Sequence, residues 1–342
     1  MVNILFIAPV IYFQTVNIIL TSDKNQGGLL MHPEGTLYLN IENKNVFYSL
    51  DALKLAQKTE RILEAVAICC DKSHNLIVSL ENNLKGIIPR EEGAIGIKEG
   101  TTKDIALISR VSKPVCFVIK DGIGTNTLTL SRKRAQEICI ENYIKKLTPG
   151  DIIPATVTHF ENYGSFVDIG CGIASLIPID SISISRISHP SDRFKKGQNI
   201  FVIVKSIEQD GKICLSHKEL LGTWLENAKE LNAGETVCGI VRSITDYGIF
   251  VELKPNLAGL AENKEGVNLG DVVSVFIKNL IPEKMKAKLA IVDSFCAPLK
   301  PEPLKYYITS GHLDKWKYSP DSCEKVIETI FNENIANVNE IL

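Results

Sequence analysis

Residues 148–178 read TPGDIIPATVTHFENYGSFVDIGCGIASLIP, and residues 232–262 read NAGETVCGIVRSITDYGIFVELKPNLAGLAE. The two stretches align at a constant offset of 84 without a gap, and eight of their thirty-one positions are identical. Among these are Gly150/Gly234, Val157/Val241, Tyr163/Tyr247, Gly164/Gly248, Phe166/Phe250 and Val167/Val251. The match resumes at Gly197/Gly270 and Lys205/Lys278 with an offset of 73, so the later copy has a shorter connector. Loops absorb such differences at small entropic cost. A weaker copy comes first: Val78-Ser79-Leu80 lies against Val167-Asp168-Ile169 at offset 89, and Phe117 to Ser131 against Val202 to Ser216 at offset 85. Internal repeats decide a fold before local propensity does. The chain therefore reads as three copies, at 62–133, 148–219 and 232–293.

Within a copy the apolar period is two. Phe166-Val167-Asp168-Ile169 and Phe250-Val251-Glu252-Leu253 put Val167, Ile169, Val251 and Leu253 inward, so Phe166 and Phe250 face outward with Asp168 and Glu252. Five short segments per copy, punctuated by Gly, Asn and Asp, suit a small closed antiparallel barrel, which leaves no sheet edge exposed. Between copies the period becomes 3.6. Thr223 and Glu226 form a capping box ahead of a stripe of Trp224, Leu225, Ala228 and Leu231. Ser319-Pro320 reads as a helix start, with Cys323, Val326, Ile327, Ile330 and Phe331 as its apolar face. The expected organisation is an N-terminal extension (1–48), a first repeat with a leading helix (49–133) and a linker helix (134–147). The second repeat (148–219), a linker helix (220–231), the third repeat (232–293) and a tail with an amphipathic helix (294–342) follow.

Composition sets the class. The 342 residues include 38 basic and 40 acidic ones, with 45% apolar and 23% charged, which excludes a disordered chain, a collagen-like fibre and a polybasic tail. Nine cysteines, an odd number with no C-x-x-C pair, argue against a disulfide framework and for a reducing cytoplasmic setting. Residues 1–20 carry no charge. Three readings of that stretch stay open: an extension ahead of a start at Met31, a structured apolar segment, or an anchor or signal. No membrane contact is expected unless residues 1–20 anchor the chain.

The repeated outward residues carry the functional signal. Tyr163 and Phe166 are three apart, and a bend with positive φ at Gly164 would bring both rings to one surface, as at Tyr247, Gly248 and Phe250. Two rings on the open face of a small barrel make a stacking platform for unpaired bases, although they could equally pack across strands. Arg242 is expected on the outward side of Val241. Repeats two and three each hold seven basic and eight acidic residues, so electrostatic affinity for a polyanion should be modest. Arg186, Arg193, Lys195 and Lys196 crowd one connector, and Tyr306-Tyr307 to Trp316-Lys317-Tyr318 mixes aromatic and basic residues that could extend an RNA path or cap the last barrel. Gly122-Ile123-Gly124-Thr125 lacks the third glycine and helix of a dinucleotide loop, and no metal spacing or activated nucleophile stands out. No enzyme activity, cofactor, metal or small-molecule substrate is expected.

The pattern Gly150, Val157, Tyr163-Gly164-x-Phe166-Val167, Leu176, Gly197, Lys212-Ile213-x-Leu215-Ser216 resembles the RNA-binding repeat of the ribosomal protein S one family, of which a short form occurs in some Gram-positive bacteria. Residues 148–293 fit it strongly, the first copy weakly, and 1–49 not at all. The resemblance implies three tandem five-stranded OB-fold barrels, the first degenerate, with connecting helices and a helical C-terminal tail. It implies an RNA surface of two aromatics plus an acidic-basic pair near the last strand: Tyr163, Phe166, Glu208 and Lys212 in one copy, Tyr247, Phe250 and Lys286 in the next. The family's histidine after the third strand is replaced by Pro178 and Glu262. The first copy holds His74 and Ile77 where the aromatics stand, and it resembles the leading repeats that dock onto the ribosome. The implied partners are single-stranded messenger RNA and the small ribosomal subunit. The alternatives are a ribosome-independent RNA-binding regulator or chaperone, and a protein-docking adaptor.

Overall fold

A computed structural model describes residues 31–209, 211–295 and 304–331. Five short strands close into each of three barrels. The first comprises β1 (Leu63–Cys70), β2 (Leu76–Ser79), β3 (Lys85–Ile88), β4 (Pro114–Asp121) and β5 (Thr127–Ser131). The second comprises β6 (Ile152–Glu161), β7 (Gly164–Asp168), β8 (Ala174–Pro178), β9 (Asn199–Ile207) and β10 (Ile213–Ser216). The third comprises β11 (Thr236–Thr245), β12 (Gly248–Lys254), β13 (Leu257–Ala261), β14 (Val272–Ile281) and β15 (Lys286–Phe295). All three share one strand order, including the first, whose sequence match was weakest. The barrels are not wholly antiparallel: in each, the third and fifth strands pair in parallel to complete closure.

Alternation sets the interior as the sequence implied. Val167, Ile169 and Val251 are buried in barrel cores, while Phe166 and Phe250 are only partly covered. A bulge interrupts the first strand of every barrel at the same place, between Ala67 and Cys69, Val157 and His159, and Val241 and Ser243. The extra residue bends the strand and resets which side chain opposes the outward position of the next strand.

Helices α1 (Ile41–Asn45) and α2 (Leu50–Lys58) cover the first barrel, and α3 (Ile105–Ile108) lies in its long connector. Phe47 and Val46 belong to that barrel's core, and Met31 is buried against the second barrel beside Cys139 and Tyr143. Residues 31–48 are therefore part of the folded body rather than an extension. The readings of residues 1–30 lie outside the described residues.

Both linkers are helical, as α4 (Arg132–Asn142) and α5 (Trp224–Ala228). The capping box of Thr223 and Glu226 is formed in both directions. Trp224 and Ala228 turn inward, but Leu225 is half-exposed because α5 is little more than one turn and buries a narrow stripe.

The helical tail is not observed among the described residues. Residues 304–331 instead run as an extended strap with a small hairpin of β16 (Lys315–Lys317) and β17 (Glu328–Ile330). The Ser319 hydroxyl accepts a hydrogen bond from the Ile327 N–H at 2.6 Å, and the Tyr318 N–H donates to the Ile327 carbonyl at 2.9 Å. These bonds fold the segment back on itself. Trp316, Tyr318 and Phe331 pack with Trp224, Leu220 and Leu257 in a core shared by the second barrel, α5 and the third barrel. The apolar spacing was real, but a shared core claimed it in extended form. No helix among the described residues is long and apolar enough to cross a membrane.

Candidate nucleic-acid interface

On the outer face of barrel 2, register lines up His159 on β6, Phe166 on β7, Leu176 on β8 and Cys214 on β10. On barrel 3 the same row reads Ser243, Phe250, Leu260 and Lys288. Tyr163 and Tyr247 come from the turns before β7 and β12 and are 57% and 70% exposed. Each ring meets its phenylalanine edge to face: 6.2 Å between centroids at 84° for Tyr163–Phe166, and 5.9 Å at 88° for Tyr247–Phe250. The two aromatic pairs thus repeat as one motif on two barrels.

Gly248 has the positive φ expected of it and Gly164 does not, but a close neighbouring strand constrains both. Gly164 is not among the residues at positive φ; a Cβ there would lie 2.4 Å from the Ile177 carbonyl oxygen. At Gly248 (φ +149) it would lie 2.5 Å from the Ala261 carbonyl oxygen. Glycine is required at both positions because the neighbouring strand passes too close for a Cβ.

His159 was not anticipated. Its exposed ring stacks on Phe166 at 4.5 Å with planes 5° apart, which extends the barrel 2 platform to three rings. The bulge places it opposite Phe166, and alternation counted without the bulge assigns it to the other face. Lys288 was also missed: it stands in the Phe250 row, two residues beyond Lys286 and on the same side of β15. Lys286 itself is exposed at the strand start. Glu208 and Lys212 close the hairpin between β9 and β10, where the Glu208 N–H donates to the Lys212 carbonyl at 2.8 Å; both side chains are exposed.

Arg242 is not on this surface. It is the extra residue of the β11 bulge, and its guanidinium turns to Glu252 (2.7 Å) and Asp192 (3.5 Å). Arg193 reaches the other carboxylate oxygen of Glu252 at 2.7 Å, and both Arg193 and Glu252 side chains are almost fully buried. Glu252 therefore does not face solvent: two arginines, one from each barrel, bolt barrel 2 to barrel 3 through it. Asp168, the matching residue of barrel 2, is buried likewise. It accepts bonds from the N–H groups of Glu34 (2.7 Å), Gly170 (2.8 Å) and Gly172 (3.0 Å). Beside it, Arg132 and Arg110 grip the Glu34 carboxylate at 2.7 and 3.1 Å, so both arginines hold it below the usual carboxylate range against the cost of burial. The outward acidic position of the repeat serves the seams between barrels.

Of the connector's basic cluster, Arg193 is thus spent in the seam, while Arg186, Lys195 and Lys196 remain exposed. The aromatics of the C-terminal strap point inward. Tyr306 meets the buried His217, whose Nε2 lies 3.0 Å from the Tyr306 hydroxyl, and the Tyr318 hydroxyl donates to the Asn256 carbonyl at 2.5 Å. The strap covers barrels 2 and 3 rather than prolonging the aromatic surface. Barrel 1 offers no platform: its equivalent row is Cys69, Ile77, Ile87 and Thr129, and His74 turns toward Asp104 at 3.8 Å.

Residues 146–218 match the S1 RNA binding domain family. Along most of its length the chain is similar to bacterial proteins named small ribosomal subunit protein bS1. The one from Chlamydia muridarum is 32% identical over 296 residues, covering 77% of this chain and 52% of that protein. The one from Staphylococcus saprophyticus is 28% identical over 274 residues, covering 73% and 68%. The one from Leuconostoc lactis is 32% identical over 237 residues, covering 63% and 53%. The chain thus spans about half the length of two of these relatives and about two thirds of the third. The domain match falls on the barrel with the fullest aromatic platform, the same barrel is built three times over, and the chain is similar along most of its length to the ribosomal protein S1 family.

Proposed function

We propose that barrels 2 and 3 bind single-stranded RNA, with bases stacked on Tyr163, Phe166 and His159 in one and on Tyr247 and Phe250 in the other. The observation that carries this reading is the repetition of an exposed tyrosine against an outward phenylalanine on equivalent strands of two barrels. Such rings are costly to leave in water, and base stacking on them is worth about 1–3 kcal/mol per base. Lys286 and Lys288 flank the barrel 3 rings, and Lys212 with Glu208 lies at the equivalent end of barrel 2, where backbone phosphates would pass. Barrel 1 has neither rings nor lysines in its row and acts as a structural or docking module.

The relatives are proteins of the small ribosomal subunit, and the RNA bound here is accordingly messenger RNA brought to that subunit in the cytoplasm. The protein works by binding, without catalysis. A sucrose-gradient profile of a tagged copy at low salt tests the ribosomal part. Co-migration with small subunits is expected, and a profile confined to the top of the gradient replaces it with free RNA binding.

A further inference from the structure

The tip of the β7–β8 hairpin, Gly170-Cys171-Gly172, is inserted into the first module. The Cys171 N–H donates to the His32 carbonyl at 3.1 Å, and the Gln136 amide on α4 donates to the Cys171 carbonyl at 3.2 Å. A Cβ on Gly172 (φ +77) would fall 1.9 Å from a guanidinium nitrogen of Arg132, so only glycine lets the tip come this close. Cys171 itself is held at φ +49, in the left-handed region that side chains other than glycine rarely adopt. This geometry brings three buried thiols from three elements together: Cys171 on the tip, Cys116 on β4 and Cys139 on α4. All three belong to one buried cluster, and the Cys139 sulfur lies 2.8 Å from where a Cβ on the neighbouring Gly170 would stand. RNA binding uses none of them.

Two further features single out Cys171. It lines a cleft of about 560 Å³ with Met31, His32, Ile62 and the exposed Glu60 and Arg61 at its rim. It is also the thiol whose ionised form its surroundings favour. Hydrogen bonds from Cys116 and then Cys139 pull its pKa down to about 5, with help from Arg132 and against burial and Glu34. The same contact with Cys171, together with burial, pushes Cys116 and Cys139 up.

We propose that Cys171 is an oxidative modification site, at which a hydroperoxide entering through the cleft produces a disulfide to Cys116 or Cys139. The Cys171 thiolate attacks an oxygen of hydrogen peroxide. An S–O bond forms, the O–O bond breaks, and the departing hydroxide takes a proton to leave as water. The neighbouring thiol then attacks the sulfenic sulfur. An S–S bond forms, the S–O bond breaks, and a second water leaves with the thiol proton. Two thiols lose two electrons, and one peroxide becomes two waters. Either cross-link ties the β7 hairpin, which carries Phe166, to the first module. The chemistry is independent of whether RNA binds.

The test treats the full reduced chain with a few equivalents of hydrogen peroxide, then alkylates it in denaturant and maps its peptides without reduction. The expected product is a Cys171 disulfide with Cys116 or Cys139, formed while the exposed Cys69 and Cys238 still alkylate. It should be accompanied by a rise in Tm that Cys171→Ser lacks. Oxidation of Cys69 and Cys238 first, with Cys171 recovered as alkylated thiol, overturns the proposal. So does Cys171 recovered as a sulfinic acid without any disulfide. The mapping decides on the natural chain alone, even if the serine variant fails to fold.

Discussion

Phe166 and Val167 differ by one step along β7, and that step separates a ring available to a ligand from a side chain that fills a core. The same step separates Phe250 from Val251. This alternation was legible in the sequence because a strand's period of two leaves no intermediate choice. His159 and Arg242 were not legible in the same way, since each sits at the bulge that shifts the count by one. With the hairpin register known from Gly164, the partner of Phe166 becomes His159. The repeat could then have shown that Ser243 takes this place in barrel 3. His159→Ala should weaken RNA binding at barrel 2 by about 1 kcal/mol, the worth of an aromatic contact, without lowering Tm. A fluorescence titration with an oligomer short enough for one barrel measures it. Arg242→Ala should do the reverse. Losing a charged hydrogen bond to Glu252 costs about 1–3 kcal/mol of stability, read by thermal melting, while RNA affinity well below Tm stays at the parent value.

At the scale of elements, the capping box of α5 follows from local chemistry, so that helix could be read directly, whereas α4 starts at Arg132 behind the Ser131 cap, two residues before the expected 134. The strap at 304–331 could not be read, because its spacing of Ile327 and Phe331 also suits a folded-back segment packed on Trp224 and Leu257. Asp168 and Glu252 failed for a related reason: period two says which face a side chain takes, not whether another barrel covers it. The strap gives the fold a pH dependence through His217. Burial, with Arg193 nearby, lowers its pKa to about 4, and its Nδ1 faces the Ile182 carbonyl at 2.8 Å. The folded chain therefore binds fewer protons here than the unfolded chain between about pH 4 and the ordinary histidine value near 6.5. Stability from this residue is full above that range and is lost as pH falls through it, by on the order of 3 kcal/mol. Melting curves from pH 7 to 4 should show this loss, and His217→Gln should flatten that part of the profile from a lower starting Tm.

Over the whole molecule, basic and acidic residues nearly balance, so affinity has to come from rings and from repetition more than from net charge. Lys286→Ala and Lys288→Ala should each reduce the salt dependence of RNA binding by about one phosphate contact, measured as the slope of log affinity against log salt. The Arg193–Glu252–Arg242 bolt and the strap hold two platforms in one body, so an RNA bound at one presents its continuation to the other at high effective concentration. Loss of both phenylalanines should consequently cost more on a long RNA than on an oligomer spanning one barrel. The most direct measurement is the affinity of the Phe166→Ala/Phe250→Ala chain for a long single-stranded RNA, taken beside its melting curve. Stacking predicts a normal Tm with binding weakened by about 1–3 kcal/mol for each ring removed. A protein that melts normally and binds that RNA like the parent would contradict it.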